Sequence, residues 1–233
     1  MRIRFEFSKG DAARFLSQLD MVRLFERAAR RAGLPIAYTQ GFNPHPKISF
    51  GPALAVGIIG EREYADLEFE SPVDVEKTIL DLGAQMPSGI RIRSGKEVPK
   101  GSPSINAVVD RGEYVIFCVL GTSFSKEEIN NAILKILSQK EIHVEKKTKK
   151  GMEIKNIRPG IYALEGEIKS GNLLTVKTLL KLSSSGSVSP FSVFEVFLKE
   201  LNVSLEQGSL KIVRKGIFAY QGGRLLTPLE ILH

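Results

Sequence analysis

The sequence is poor in cysteine: Cys118 is the single cysteine among 233 residues. One cysteine excludes a disulfide within this chain, and it excludes any metal or iron–sulfur site built from several of its cysteines. Cys118 lies in the apolar run YVIFCVL, and a lone cysteine in such a run is typical of a small buried side chain. The sequence therefore predicts that Cys118 packs in a core.

Long apolar runs and the short motifs of common enzyme classes are also missing. No window approaches the roughly 18 uncharged apolar residues of a membrane-spanning helix. The N-terminal MRIRFEFSKG has no apolar stretch of a secretory signal, so we expect a cytoplasmic protein without a membrane contact. The patterns GxxxxGK[ST], GxGxxG, HExxH and CxxC do not occur. Nothing in the sequence therefore predicts a bound metal or cofactor.

The positive charge is concentrated in two segments of the chain, whose net charge is +7. Residues 1–50 contain nine Lys and Arg against four Asp and Glu, and residues 146–158 contain six against one. The remaining residues contain 18 against 21, so they are slightly acidic. Clustering of this kind favours a polyanionic partner, nucleic acid first. The alternative is an ordinary solvated surface.

The spacing of apolar residues in the first half predicts mixed strands and helices. Residues 2–7 alternate between polar and apolar, as in a half-buried strand. From residue 12 to residue 32, apolar side chains recur every three or four positions, which predicts a helix with one buried face. That face comprises Phe15, Leu19, Val22, Phe25, Ala29 and Ala32. The predicted order of the whole half is strand, helix, strand, strand, helix, strand, which is the ferredoxin-like motif.

The second half repeats this order after residues 98–112, which are rich in Pro, Gly and Ser. Its first helix is predicted to begin at Ser125, where Glu128 completes a capping box. We therefore predict an α+β protein of tandem ferredoxin-like (βαββαβ) units with antiparallel sheets. The predicted domains are residues 1–105, with a basic helix and a GFNPHP loop, and residues 106–233, with a basic hairpin.

The first predicted helix carries a stripe of arginines. Arg23, Arg27 and Arg30 recur at helical spacing, and Arg31 lies beside them. This row covers about two turns, or roughly 10 Å. A row of guanidiniums of that length can follow the phosphates of a nucleic-acid strand. The alternative is a solvated helix face, although Asp20 and Glu26 balance only part of the charge.

The next segment, QGFNPHPK at residues 40–47, is a stiff loop. Pro44 and Pro46 each fix a φ angle and bias the residue before them away from the helical region. A stiff loop loses little entropy on binding, so it can present its side chains ready-made. The candidates are Gln40, Phe42, Asn43, His45 and Lys47. Phe42 stacks on a base if it is exposed and fills the core if it is not.

His45 is the candidate catalytic residue, because a histidine titrates near neutral pH and can act as an acid or a base. The sequence shows no partner for it, so a binding role and a purely structural role stay open as alternatives.

A second basic segment, KKTKKGMEIKNIRPG, begins at Lys146. Gly151 among the lysines predicts the tip of a β-hairpin, and a basic hairpin can enter a groove or follow a nucleic-acid strand. The alternative is a lysine-rich edge that protects an exposed strand from pairing. Arg158 lies past the tip, where it can pair with an acid from the other half.

Residues 14–57, RFLSQLDMVRLFERAARRAGLPIAYTQGFNPHPKISFGPALAVG, form with EYADLE at residues 63–68 a long and specific block. This block resembles the radical-SAM-linked proteins of the DUF2344 family, in which a histidine often stands at the position of Gln18. A looser likeness continues through KKGMEIKNIRPGIYALE and RKGIFAYQGGRLLTPLE. Members of the family occur alone or fused to a radical SAM protein, so the resemblance implies such a partner. This chain has no cysteine triad, which places the radical SAM cluster in that partner.

The leading hypothesis is an accessory protein that binds structured RNA, such as rRNA or tRNA, and works with a radical SAM enzyme. The predicted RNA-binding residues are Arg14, Arg23, Arg27, Arg30, Arg31, Gln40, Phe42, Asn43, His45, Lys47, Lys146, Lys147, Lys149, Lys150 and Arg158. Two alternatives stay open. One is a metal-independent RNA-processing or RNA-modifying enzyme that uses His45, and the other is a protein-interaction module for the radical SAM partner.

Overall fold

The computed structural model of the protein describes residues 1–148, 151–169 and 172–232. In chain order the elements are β1 (Arg2–Lys9), α1 (Gln18–Arg31), β2 (Ile48–Phe50), β3 (Ile59–Glu68), α2 (Val75–Ala84), β4 (Ile90–Glu97), α3 (Ile105–Val108), β5 (Arg111–Val119), α4 (Lys126–Ser138), β6 (His143–Thr148), β7 (Gly151–Asn156), β8 (Ile161–Lys169), β9 (Leu173–Ser183), β10 (Gly186–Ser187), α5 (Pro190–Leu201), β11 (Lys211–Gln221) and β12 (Arg224–Leu226). The chain forms two compact units. The first comprises Met1–Asp110 and Arg214–His233, and the second comprises Arg111–Val213.

The predicted division after residue 105 lies close to the start of the second unit at Arg111. Residues 214–233, which the sequence placed in the second domain, belong to the first unit. They return there because β11 lies beside β3, with ion pairs from Arg214 to Glu63 and from Lys215 to Glu61. Because β3 and β11 are far apart in the sequence, no local sequence pattern predicts that they lie side by side. The domain boundaries given by the sequence stay a prediction.

The first unit is an antiparallel sheet with helices packed against it. Its strands lie in the order β11, β3, β1, β4, and β1 is antiparallel to both β3 and β4. The short β2 pairs with β3, and β12 pairs with β11. Buried side chains of α1, α2 and the strands form one apolar core, at whose centre the rings of Phe7, Phe25 and Phe50 pack edge to face.

The helix α1 differs from the predicted helix in its start and in its buried face. It begins at Gln18, after a short 3₁₀ turn at Asp11–Ala13, rather than at residue 12. Phe15 and Leu19 are 65% and 57% exposed, so the prediction that they face the core was wrong. Leu19 and Phe25 are six residues apart, which turns them about 240° from one another around the helix. The buried face comprises Met21, Phe25, Ala28 and Ala29.

Two buried arginines hold the first unit together. Arg4 donates from Nε to Asp66 Oδ1 at 2.7 Å and from Nη2 to Asp66 Oδ2 at 2.9 Å. Its Nη1 also donates to the carbonyl of Pro228 at 3.0 Å, near the end of the chain. Arg214 donates from Nε to Glu63 Oε1 at 2.8 Å. These pairs tie β1, β3 and the C-terminal residues into one unit.

The second unit is also an antiparallel sheet with two longer helices. The strand β9 pairs with β5 along one edge, and it pairs with both β8 and the short β10 along the other. The strands β6 and β7 form a separate antiparallel pair. The predicted capping box is confirmed, since Ser125 and Glu128 cap the start of α4 reciprocally. Cys118 is buried as predicted, and burial raises the pKa of its thiol to about 11.

The predicted α+β class and the antiparallel pairing of the strands are confirmed. The tandem ferredoxin-like arrangement stays a prediction. Within the described ranges, no helix is both long enough and apolar enough to cross a bilayer.

Candidate nucleic-acid interface

The helix that carries the arginines is fixed at both ends. Ser17 caps its start: the Asp20 N–H donates to Ser17 Oγ, and Ser17 N–H donates to Asp20 Oδ2 at 2.9 Å. Hydrogen bonds from Ser17 lower the pKa of Asp20, and the positive charges of Arg23 and Lys9 lower it further. The helix ends before Gly33, whose φ of +65° suits glycine. Arg30 and Arg31 lie in its last turn, where cations interact favourably with the helix dipole.

Arg23, Arg27 and Arg30, which we call the arginine row, lie on the solvent face of α1. All three are exposed. Among the residues that the structure describes, no ion pair or hydrogen bond involves their guanidiniums. An exposed guanidinium without a carboxylate partner keeps its donors available for a phosphate. The row is therefore the part of α1 best suited to an anionic ligand.

The other predicted cations of the first unit already have protein partners. Arg14 forms an ion pair with Asp11 at 2.7 Å. Arg31 donates from Nη2 to the carbonyl of Gln85 at 2.6 Å. Lys47 Nζ lies 3.1 Å from a carboxylate oxygen of Glu68. Because exposed pairs of this kind are weak, these side chains can still exchange partners, but they are less available than the arginine row.

Residues 40–47, which we call the proline loop, project from a closed base. Tyr38 pairs with Pro46 in an isolated antiparallel bridge. The Thr39 N–H donates to the carbonyl of His45 at 2.8 Å, and the His45 N–H donates to Thr39 Oγ1 at 2.9 Å. At the tip, Gly41 has a φ of +129°, which side-chain residues rarely adopt. The Phe42 ring beyond it is fully exposed, so it does not fill the core.

The base of the proline loop lies against α1, close to the arginine row. The Tyr38 hydroxyl donates to Glu26 Oε1 at 3.3 Å. Burial raises the pKa of the Tyr38 phenol, the Glu26 carboxylate adds to this rise, and the Arg30 guanidinium opposes it. Glu26 and Arg30 are neighbours on the helix surface, four residues apart. The structure thus brings the row and the loop together in the first unit.

His45 has a fixed backbone and an exposed side chain. In the described part of the chain, no hydrogen bond or ion pair orients its imidazole. A general acid or base needs a partner that fixes its tautomer and direction. The described residues thus leave the His45 imidazole exposed and form no catalytic constellation around it.

The exposed residues Phe15 and Leu19 extend this surface, and sequence reasoning missed them. The Arg14 guanidinium carbon lies 4.7 Å from the centre of the Phe15 ring. Leu19 lies on the same face of the helix as Arg23 and Arg30. Arg23 is four residues and Arg30 eleven residues further along, which is close to one and to three full helical turns. The signal that could have revealed them was the capping pair Ser17 and Asp20, which starts the helix after Phe15.

The remaining predicted residues lie in the second unit. Lys146 and Lys147 belong to β6, whereas Lys149 and Lys150 lie outside the described residues. Arg158 donates from Nε and Nη2 to the carbonyl of Leu137 and from Nη1 to that of Ile161. Its partners are therefore backbone groups at the end of α4 and the start of β8, and not an acid of the first unit.

A groove of about 800 Å³ lies beside the β6–β7 pair. Its lining includes the four glutamates Glu141, Glu145, Glu195 and Glu200. Lys199 also lines the groove, and Lys135 Nζ pairs with Glu200 at 2.6 Å, so the carboxylates are in excess but only partly free. Because an excess of carboxylates repels phosphates, this groove suits a polyanion less well than the arginine row does.

A small cavity in the first unit lies below the start of α1. It is lined by Lys9 and Gln18 among others, and its volume is about 20 Å³. The Lys9 ammonium donates to the carbonyl of Leu16 at 2.5 Å, and burial lowers the pKa of Lys9. A cavity of this volume holds about one water molecule. It is too small for a nucleotide or for most substrates.

Residues 2–190 match the family described as "uncharacterized protein conserved in bacteria", DUF2344. The chain belongs to this family. No curated protein matches the DUF2344 chain. The family assignment confirms DUF2344, the family that residues 14–57 resemble, and it shows neither a radical SAM linkage nor an activity.

Among solved structures, the DUF2344 chain is similar to a chain in a crystal structure of a Cbf5-Nop10-Gar1 complex, with a TM-score of 0.52 and 12% identity. The similarity covers 91% of this chain and 49% of that chain. The DUF2344 chain is also similar to a chain in a structure of an H/ACA RNP bound to a substrate RNA containing 2′-deoxyuridine, with a TM-score of 0.50 and 12% identity. This similarity covers 90% of the DUF2344 chain and 46% of the other chain. The DUF2344 chain thus spans about half the length of these chains. At this identity the likeness concerns the fold.

Proposed function

We propose that the DUF2344 protein binds RNA through the arginine row and the proline loop. The observation that carries this proposal is a row of three exposed arginines without ion-pair partners in the described chain, next to a stiff exposed loop. In the proposal the row and Lys47 contact phosphates, and other side chains of the loop contact sugars or bases, namely Gln40, Asn43 and His45. In the second unit, the proposed RNA contacts are Lys146, Lys147, Lys149 and Lys150.

Physical chemistry favours a polyanion at this row. The row covers eight residues from Arg23 to Arg30, or about 10 Å of helix, which is the reach of a short run of phosphates. Each guanidinium that neutralises a phosphate releases a counterion, so binding must weaken as salt rises. The fold likeness to a chain of an H/ACA RNP bound to a substrate RNA makes RNA the polyanion to test first.

The triple variant Arg23→Ala/Arg27→Ala/Arg30→Ala tests the proposal. We expect RNA affinity to fall on the order of 100-fold, because each charged contact contributes roughly 1 kcal/mol. We also expect the slope of log affinity against log salt to become shallower by about 2 to 3. Fluorescence anisotropy with labelled RNA, measured across a salt series, gives both quantities.

A matched control removes the same charge from another exposed site. Arg91→Ala/Arg93→Ala/Lys100→Ala also loses three positive charges, all from exposed side chains of the first unit. It should retain most of the affinity and the original salt slope. Equal losses in the two triple variants would mean that net charge alone drives binding, and that α1 is not the interface.

The partner in this proposal is a cytoplasmic radical SAM protein, and the RNA is structured, such as rRNA or tRNA. The resemblance of residues 14–57 to radical-SAM-linked proteins supports the partner. Co-purification of a tagged DUF2344 chain, with and without nuclease, tests it. Recovery of a radical SAM protein only in untreated samples means association through RNA, and recovery in both means a direct contact. The absence of any such protein would remove this partner from the proposal.

A further inference from the structure

We propose that the interface takes unpaired RNA, whose bases stack on Phe42 and on Phe15 beside the arginine row. This inference rests on the proposed RNA binding and adds the class of RNA. Three observations carry it: the exposure of the two rings, the way each is held, and the connection of both segments to α1.

Phe42 is held out in water by a stiff loop. Its relative exposure is 106%, so it exposes apolar area that folding usually buries. Hydrogen bonds between Thr39 and His45 close the base of the loop. Pro44 restricts the backbone within this closed segment, and Pro46 restricts it directly after His45. Such a ring loses little freedom on stacking, which favours a flat ligand such as a nucleobase.

Phe15 is a second aromatic platform. Its ring is 65% exposed, and the Arg14 guanidinium covers one side at 4.7 Å. The Asp11 carboxylate in turn holds Arg14 through a 2.7 Å contact. The ring is thus steadied from one side, and the remaining exposed area is free for a base. Arg14 can also stack, because its guanidinium is planar.

Both aromatic segments connect to the helix that carries the arginine row. Phe15 precedes the start of α1, and the row follows in the direction of the helix to Arg30. Beside Arg30 lies Tyr38, from which the loop leads to Phe42. Leu19 to Arg30 alone spans about 16 Å, which agrees with a site of about four nucleotides or more.

Base pairing decides which RNA can use both features. In a duplex the bases are stacked on each other inside the helix, and A-form grooves offer mostly sugars and phosphates to a protein. The arginine row would still find phosphates there, whereas the two phenylalanines would find no free base. In unpaired RNA, the bases can turn outward and stack on aromatic rings. Exposed aromatics beside arginines therefore favour the unpaired form.

The absence of tryptophan from the sequence provides a direct test. Phe42→Trp and Phe15→Trp each introduce a single tryptophan, whose fluorescence changes when a base stacks on the indole. The probes are a uridine oligomer of about ten nucleotides and a blunt RNA duplex of the same length. We expect saturable quenching by the oligomer in both variants and little by the duplex. Leu134→Trp, at an exposed position on α4 in the second unit, should not respond.

Affinity measurements separate stacking from simple apolar contact. Phe42→Leu should weaken binding of the oligomer about 5- to 100-fold, as expected for the loss of one stacked base. Phe42→Tyr should retain the affinity, because it keeps the ring. Likewise, Phe15→Leu should weaken binding of the oligomer and Phe15→Tyr should retain it. None of the four variants should change the affinity for the duplex.

The outcomes for this inference differ from those for RNA binding itself. Salt-sensitive binding without quenching in the Phe42→Trp and Phe15→Trp variants would overturn the stacking and leave the arginine row in place. Equal affinity of the unmodified protein for the oligomer and the duplex would also overturn the stacking and leave the arginine row in place. No binding of either RNA by the unmodified protein would overturn the proposed function as well.

Discussion

The substitution Glu63→Ala will lower the free energy of unfolding of the first unit by about 3–5 kcal/mol. Arg214 is 1% exposed, and its side chain donates to the Glu63 carboxylate and to the carbonyl of Pro52 at 2.8 Å. Without the carboxylate, a buried guanidinium keeps its charge with fewer partners, and that loss exceeds the ordinary value of one hydrogen bond. Urea unfolding, followed by hydrogen exchange of peptides from β1 and β3, measures the effect on this unit.

Two further variants show whether the buried charge is the cause. Glu63→Met/Arg214→Met removes both charges and should recover most of the lost stability, since apolar pairs often replace buried ion pairs well. Asp81→Ala breaks the exposed pair of Asp81 with Lys77 and should leave the unfolding midpoint unchanged. A loss below about 1 kcal/mol for Glu63→Ala would contradict the role given to the buried pair.

The second large effect is expected from Phe25→Ala, with a loss of about 3–5 kcal/mol. Phe25 is fully buried, and its ring centre lies 5.1 Å from those of Phe7 and Phe50. Removing the ring leaves a cavity under α1 and deletes two edge-to-face contacts. Urea unfolding of the full chain, with hydrogen exchange of α1 peptides, measures the loss.

Phe15→Ala is the matched control for that experiment, because it deletes the same ring from the same segment of the chain. Phe15 is 65% exposed, so its removal should change stability by no more than about 0.5 kcal/mol. Losses of similar size at the two positions would instead favour the helix that the sequence spacing predicts, with both rings in the core. The pair therefore distinguishes the buried face of α1 from its solvent face.

This contrast shows where the periodicity of the sequence was informative and where it was not. The recurrence of apolar residues correctly predicted a helix through Phe25. It carried the helix too far towards the N-terminus, because Phe15 and Leu19 continue the spacing although Ser17 caps the chain between them. The capping pair Ser17–Asp20 is a local signal, and it decides the start of α1 more reliably than the apolar residues do.

The candidate interface was predicted in part for similar reasons. Exposure of the arginine row followed from its helical spacing, and the stiffness of the proline loop followed from Pro44 and Pro46. Three other cations turned out to be occupied: Arg14 by Asp11, Arg31 by Gln85 and Lys47 by Glu68. Their partners are set by local turns and by packing against neighbouring elements, which a count of charges does not include.

By itself, the sequence determined the capping box at Ser125 and the burial of Cys118, because each depends on neighbours within a few residues. It also predicted the α+β class and antiparallel sheets, because the order of strand and helix patterns along the chain favours them. Only the tertiary structure decided that residues 214–233 fold with the first unit and that Tyr38 joins the proline loop to α1 through Glu26. It also decided that Phe42 points into water. These features depend on side chains and strands that meet across long stretches of chain, where no periodic pattern records the partner.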